Sequence, residues 1–289
     1  MRFAVIEQHR GRYRLAGLCR ALQVSVSGYY AWRKRPVSER EQANQRLVEQ
    51  IKLIHQASYG SYGSPRIHAE LVDQGQSCSR KRVARLMRLH RLRAKQGRRR
   101  RVTTVKRVGD PVAPNLLDRQ FTATAPNQKW LADITYIPTQ EGDLYLATVL
   151  DLYARKIVGW AMEATLKTEL VQQALQMAFR QRRPAAELLH HSDQGCQYTS
   201  ELYRALLKSH KCQVSMSRVG NCYDNAPMES FFGTLKSELV YHRQYRTRAE
   251  AKQDIFAYIE GFYNRRRRHS ALGYQSPEQF EKFYHLSLN

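Results

Sequence analysis

The chain is short of acid. Its 289 residues carry 25 Asp and Glu against 48 Lys and Arg, a net charge of +23. From Gln74 to Gly109 there is no Asp or Glu at all, while fourteen Lys and Arg fall in that stretch, Arg98 to Arg101, Lys106 and Arg107 among them. Such a surplus suits a polyanion, and nucleic acid comes first. An anionic membrane surface is the rival, but no apolar run is long enough to span a bilayer. The opening Met1-Arg2-Phe3-Ala4-Val5-Ile6-Glu7 holds too short an apolar run for a signal peptide, so a cytoplasmic protein without a membrane partner is expected. Cysteine is scarce and scattered. Cys19, Cys78, Cys196, Cys212 and Cys222 form no Cys-x-x-Cys pair, and the histidines show no zinc-finger spacing, which argues against a structural zinc. Disulfides are not expected in a reducing cytosol. Neither Ser192 nor any cysteine has an evident base and orienting partner, which disfavours covalent catalysis. No heptad repeat is sustained.

What is present begins with helices. Residues 1–57 read as helical. Leu15, Leu18, Cys19 and Leu22 recur at helical spacing, Ser25 or Ser27 can cap a second helix through Tyr29, Tyr30 and Trp32, and Pro36 ends it: a possible helix-turn-helix. A further amphipathic helix over 38–57 turns Leu47, Ile51 and Ile54 to one face. Residues 58–107 hold a second, better helix-turn-helix candidate. Ser64-Pro65 starts a helix facing Ile67 and Leu71 inward, Gly75 closes it, and Ser77 or Ser79 caps the next, with Val83, Leu86 and His90 on one side. That last helix carries Arg80, Lys81, Arg82, Arg85 and Arg88, and guanidinium groups pair with phosphates in forked geometry. Residues 108–125, with Pro111 and Pro114, read as a linker.

Residues 126–245 change character. Strands are predicted at 129–137, 144–151 and 156–163, close enough for an antiparallel meander. A helix over 168–182, a strand from Glu187 to His191, a helix over 199–209 and a short strand at 213–216 follow, giving a mixed sheet covered by helices on both faces. Residues 246–289 read as a helical extension. Ile255, Tyr258, Ile259 and Phe262 form its apolar stripe, and Arg265 to Arg268 follow, either favouring a helix C-terminus or touching DNA through Arg265 and Arg268.

Three acids stand out in this part. Asp133 lies within the apolar strand Trp130-Leu131-Ala132-Asp133-Ile134-Thr135-Tyr136-Ile137, where a charged carboxylate needs a partner or a cation. Asp193 ends the run Leu188-Leu189-His190-His191-Ser192. Glu229 lies just inside a helix that Asp224 or Asn225 can cap and that carries Pro227 in its first turn. Two strand aspartates and a helix glutamate make a pocket of oxygen ligands suited to Mg²⁺. Two such ions ~3.5–4 Å apart can hold the attacking and leaving oxygens of a phosphoryl transfer. Lys236 follows Glu229 by two helical turns and faces the same way, which suits contact with DNA beside the scissile phosphate. Asp151 is a rival strand-end acid, Asp224 reads as a loop or capping residue, and His190 and His191 read as core.

The three acids, with thirty-five residues between the last pair, resemble the DDE triad of retroviral-integrase-like transposases. The words around them are more specific: Trp130-Leu131-Ala132-Asp133-Ile134-Thr135-Tyr136, His191-Ser192-Asp193-Gln194-Gly195, Asp224-Asn225-Ala226, Glu229-Ser230-Phe231-Phe232, Tyr263-Asn264-Arg265-Arg266-Arg267-Arg268-His269 and Leu272-Gly273-Tyr274. Together they resemble the second-reading-frame protein of a large bacterial insertion-sequence family, over nearly the whole chain. The resemblance implies a ribonuclease-H-like catalytic core, and cleavage and joining of DNA at the inverted-repeat ends of an insertion sequence. It implies Mg²⁺, with Mn²⁺ able to substitute, and about two ions held by Asp133, Asp193 and Glu229. It also implies a basic residue at the Lys236 offset, duplex DNA of ends and target as partner, and a homo-oligomer on that DNA, nucleoid-associated when bound. A further partner is the upstream-reading-frame protein or a frameshift fusion with it. Retroviral integrases carry an N-terminal His/Cys zinc domain, from which this chain departs. Two alternatives remain: a catalytically silent DNA-binding regulator derived from a transposase, and a ribonuclease H, which the basic helical N-terminus does not suit.

Overall fold

The computed structural model describes residues 2–95, 112–218 and 221–287. The basic residues Arg98 to Arg101, Lys106 and Arg107 lie outside them. The chain forms two compact units, Met1–Gln50 and Ile51–Asn289.

In the first unit, α1 (Arg2–His9), α2 (Leu15–Ala21) and α3 (Val26–Lys34) precede the start of α4 (Glu39–Ala57). Ile6, Cys19 and Tyr29 are buried, with Leu15, Leu18, Leu22 and Trp32 packed against them. Ser25 caps α3, its hydroxyl accepting from Gly28 N at 2.9 Å.

The second unit continues through α5 (Ser64–Asp73) and α6 (Arg80–Leu89). Ile67 and Leu71 of α5 and Val83, Leu86 and Met87 of α6 are buried, and Ser79 caps α6 by accepting from Arg82 N. His90 is exposed, contrary to expectation. The helix stops at Leu89, and Met87, four residues after Val83, takes the inward place.

Strands β1 (Lys129–Ile137), β2 (Leu144–Asp151) and β3 (Lys156–Glu163) form the antiparallel meander; β4 (Leu189–Ser192) and β5 (Gln213–Met216) add in parallel, giving the order β3-β2-β1-β4-β5. This mixed sheet with flanking helices has the ribonuclease-H-like arrangement. Between the strands lie α7 (Thr168–Arg182), α8 (Cys196–Thr199) and α9 (Glu201–Ser209). Alternate residues of β1 and β2, Trp130, Ala132, Ala147 and Val149, with Val158 and Ala161 of the irregular β3, pack on Leu170, Ala174, Leu175 and Ala178 of α7. Helix α7 lies so close to β3 that a Cβ at Gly159 would stand 2.2 Å from the Ala174 carbonyl. Strand β4 begins later than expected, because Glu187 adopts a positive φ of 70° and belongs to the preceding turn.

The segment read as a linker is, from residue 112 on, part of the fold. Leu117 is buried, and the amides of Leu116 and Leu117 donate to the Ser215 hydroxyl on β5 at 2.9 and 3.2 Å. The C-terminal part comprises α10 (Ala226–Glu238), α11 (Arg248–Phe256), a π-helical stretch Ala257–Tyr263 and α12 (Pro277–Leu286). Ile255, Tyr258, Ile259 and Phe262 are buried as their spacing requires, although most of that segment winds as π rather than α. Asn264 closes the edge of β3: its side chain accepts from Ile157 N and donates to Ile157 O, both at 2.9 Å.

Candidate active site

Asp133 sits on β1, paired on one side with Thr148 of β2. On the other side β4 runs parallel, with Leu131 opposite His191. Carrying that register two residues further sets Asp133 level with Asp193, which follows the last residue of β4. Asp193 Oδ1 accepts from Gly195 N at 2.9 Å, and Asp133 Oδ1 from Ile134 N at 2.7 Å, so backbone amides orient both carboxylates. Burial, then Tyr203 and the charges of these two aspartates, raises the pKa of the Tyr198 hydroxyl.

Beyond Leu131 the pairing of β1 with β4 ends. Helix α10 takes the place. Asn225, just before it, donates Nδ2 to the Ala132 carbonyl at 3.4 Å, and the Lys236 ammonium stands 4.4 Å from the centroid of the Tyr136 ring. The helix is therefore tied to β1 on both sides of Asp133. Glu229 is four residues past Asn225, about 6 Å along the axis, against ~3.3 Å per residue in the strand. That sets it near the level of Asp133. Among the described residues, no group of three or more His, Cys, Asp or Glu stands close enough to hold a metal ion. The structure thus brings the two aspartates into register and Glu229 to the same stretch of β1 without closing them into one ligand shell.

The surroundings separate ligands from framework. Asn225 does not cap α10 with its side chain, contrary to expectation; the strand edge has claimed its amide. Its buried Oδ1 has no hydrogen-bond partner among the described residues, nor do Gln194 Oε1 and the Tyr198 hydroxyl. Two orphaned acceptors next to Asp133 and Asp193, in an all-oxygen donor set, fit a hydrated hard cation, whose waters donate hydrogen bonds. His190 and His191 are fully buried. Burial, then the neighbouring His191, pushes His190 down to about 3, while burial brings His191 to about 4 against the opposing pull of Asp224. His190 Nε2 meets the Tyr203 hydroxyl (3.0 Å), and the two ring nitrogens of His191 meet the Ser215 and Ser217 hydroxyls (2.8 and 3.0 Å), so both side chains are built into the core. Asp151 is buried away from the site, accepting from Asn127 N and Tyr153 N beside Arg182.

Comparison with known proteins identifies the chain. Residues 123–222 and 210–277 each match an integrase core domain family, and residues 42–101 match an HTH-like domain family. The transposase InsF of insertion sequence IS3A from Escherichia coli K12 is 42% identical over 283 residues, 97% of this chain and 98% of its own. The chain belongs to the IS3 family of insertion-sequence transposases. An uncharacterized 31 kDa protein of insertion element IS600 from Shigella sonnei is 49% identical over 268 residues, 93% of this chain and 98% of its own. Among solved structures, the HTLV-2 integrase catalytic core domain in complex with magnesium aligns at a TM-score of 0.42 and 14% identity, covering 55% of this chain and 98% of that one.

The basic candidates of this transposase divide. On α6, Arg80, Lys81, Arg85 and Arg88 are exposed and Arg82 partly so, opposite the buried Val83, Leu86 and Met87. Arg265 is exposed, 3.7 Å from Glu278. Arg268 is corrected. Its guanidinium pairs with Glu70 and, at 2.6 Å, with Asp73, and donates to the Tyr274 carbonyl at 3.0 Å, leaving the side chain about nine-tenths buried. It ties α5 to the C-terminal part and is not placed to meet DNA. Arg267, which drew no separate attention in the sequence, is buried in a forked pair with Glu238.

Proposed function

We propose that this transposase cuts DNA at the inverted-repeat ends of its insertion sequence and joins them to a target by metal-dependent phosphoryl transfer, with Asp133, Asp193 and Glu229 as the metal ligands. The observation that carries the reading is the registration of Asp133 with Asp193 on parallel neighbours, beside a helix tied to β1 that brings Glu229 to the same level. Mg²⁺, with Mn²⁺ as a substitute, suits these donors, and two ions, when bound, would neutralise charge on the transferring phosphate and activate the attacking oxygen. The protein holds the carboxylates in place through backbone amides, while the buried acceptors of Asn225 and Gln194 receive water protons. Lys236, over Tyr136 and on the helix of Glu229, contacts the phosphate or base next to the cut bond; an ammonium has no lone pair for a metal. The exposed face of α6, Arg80, Lys81, Arg82, Arg85 and Arg88, binds duplex DNA through phosphates, and Arg265 adds to it.

Uniting two ends with a target calls for more than one copy on the DNA, so a homo-oligomer is the working form, with the upstream-frame protein or a fusion to it as a further partner. Among the described residues no helix is long and apolar enough to cross a membrane. Acting on DNA, the protein would work in the cytoplasm, at the nucleoid when bound.

The test is incubation with labelled duplex bearing the element's ends, with and without Mg²⁺. Asp133→Asn, Asp193→Asn and Glu229→Gln each keep side-chain size and remove a charge, and each is expected to abolish cleavage while end binding survives. Near-wild-type cleavage by any of them removes that residue from the site. Absence of Mg²⁺-dependent nicking by the unaltered chain favours the silent regulator instead.

A further inference from the structure

Asp224 is fully buried five residues before Glu229, and its carboxylate is engaged by residues outside the acid pair. Its carboxylate accepts three hydrogen bonds and forms a further ion pair. Oδ1 receives Arg119 Nε at 3.0 Å; Oδ2 receives Asn115 Nδ2 and Arg218 N, both at 3.0 Å, and the Arg218 Nε lies 3.2 Å from Oδ2 as an ion pair. Burial alone would raise its pKa, but the bonds from the Arg218 amide and Arg119, with the two guanidinium charges, hold it below the ordinary range. A carboxylate with this many donors is ionised and fixed. It joins residues 115–119, laid on β5, to Arg218 beyond β5 and to the turn that leads into α10. Arg119 also stands 5.8 Å from the centroid of the exposed Tyr223 ring. The next residue, Asn225, reaches across to the Ala132 carbonyl beside Asp133.

We propose that Asp224 is a positioning residue for the cleavage reaction: by clamping the entry of α10 to residues 115–119, it holds Asn225 on the edge of β1 and Glu229 at the level of Asp133. The proposal rests on the catalytic assignment of Glu229. Asp224 touches neither substrate nor metal. It acts through the backbone, because a helix whose first residue shifts by ~1 Å carries its glutamate with it, and such a displacement costs about 100-fold in rate. Arg119 and Arg218 are each about half exposed, so water can satisfy them once the carboxylate is gone.

The test uses the full chain. Asp224→Asn keeps the size and removes the charge; the double variant Arg119→Ala, Arg218→Ala keeps the carboxylate and removes both guanidinium partners. Both are compared with Glu229→Gln on the same end-bearing duplex. Expected are cleavage about 10- to 100-fold slower in both, a higher Mg²⁺ concentration for half-maximal rate, and faster hydrogen exchange at the Arg218 amide in Asp224→Asn. That variant is also expected to keep end affinity and thermal midpoint near those of the unaltered chain. Cleavage by Asp224→Asn at the normal rate overturns the proposal. So does slow cleavage accompanied by general unfolding and loss of end binding, which assigns Asp224 to the fold alone. Activity in Glu229→Gln would instead sink the catalytic reading itself, whatever Asp224→Asn does.

Discussion

The arginines of α6 and those of residues 265–268 carry the same charge into different surroundings. On α6 the guanidinium groups stand on the outer face of a helix whose other face packs inward, and the sequence from Gln74 to Gly109 holds no Asp or Glu. At 265–268 the fold supplies acids from elsewhere. Glu238 forks with Arg267 at 2.8–3.1 Å and also accepts from the Tyr258 hydroxyl at 2.7 Å, while Glu70 and Asp73 take Arg268. Whether an arginine run is a nucleic-acid surface or a set of internal ties therefore depends on acids remote in the chain, and α6 is the run whose charge faces outward.

The contrast breaks most sharply at Arg267. Arg267→Ala leaves Glu238 buried without its fork and is expected to cost ~3–5 kcal/mol of stability. Removing both charges together, Arg267→Met with Glu238→Leu, is expected to recover much of that loss. Denaturant unfolding of the three proteins reads it, and a harmless Arg267→Ala would abolish the distinction between the two runs. On the α6 side the expected result is the reverse. Arg80, Arg85 and Arg88 replaced by Ala together should leave stability within ~0.5 kcal/mol. They should weaken duplex binding roughly tenfold or more at low salt and flatten its salt dependence by about 0.9 for each phosphate no longer neutralised. An unchanged salt slope would show that this face does not meet DNA. The smallest effect belongs to Arg265, the exposed neighbour of the buried pair. Arg265→Ala should not disturb the fold, since an exposed pair contributes ~0–1 kcal/mol, and should lower the salt slope by about 0.9. If the slope stays put, Arg265 sides with its buried neighbours.

Much of this was legible in the chain. The meander, α7, and the inward faces of α4 and α5 follow from apolar period alone, because each has one face to bury. Asp133 stands out as a charge inside an apolar strand, and β1 does carry it. What the order of residues could not show was how polar groups pair across the fold. Asn225 looks like a helix cap, since the residue types that cap helices also serve strand edges; only the early end of β4 reveals the carbonyl it serves. Arg268 looks like surface charge, because nothing near it in sequence announces Glu70 and Asp73. The supposed linker looks unstructured for its prolines, yet Ser215, about a hundred residues on, fixes residues 116 and 117. Asp224 could be placed in a loop but not given its partners, two of which, Asn115 and Arg119, lie about a hundred residues earlier, with Arg218 six residues before it.

The replacement of β4 by α10 along β1 has a consequence for the order of synthesis. A ribosome completes both aspartate-bearing strands some thirty residues before it delivers the helix that covers the remaining edge of β1. Until then the backbone past Leu131 offers unpaired amides and carbonyls, the kind of edge onto which a second chain adds and aggregates. Arrival of residues 225–236 caps that edge and brings in Glu229 in one event. Protection of the nascent sheet and delivery of Glu229 are thus the same step, and a chain broken off before it keeps that edge open.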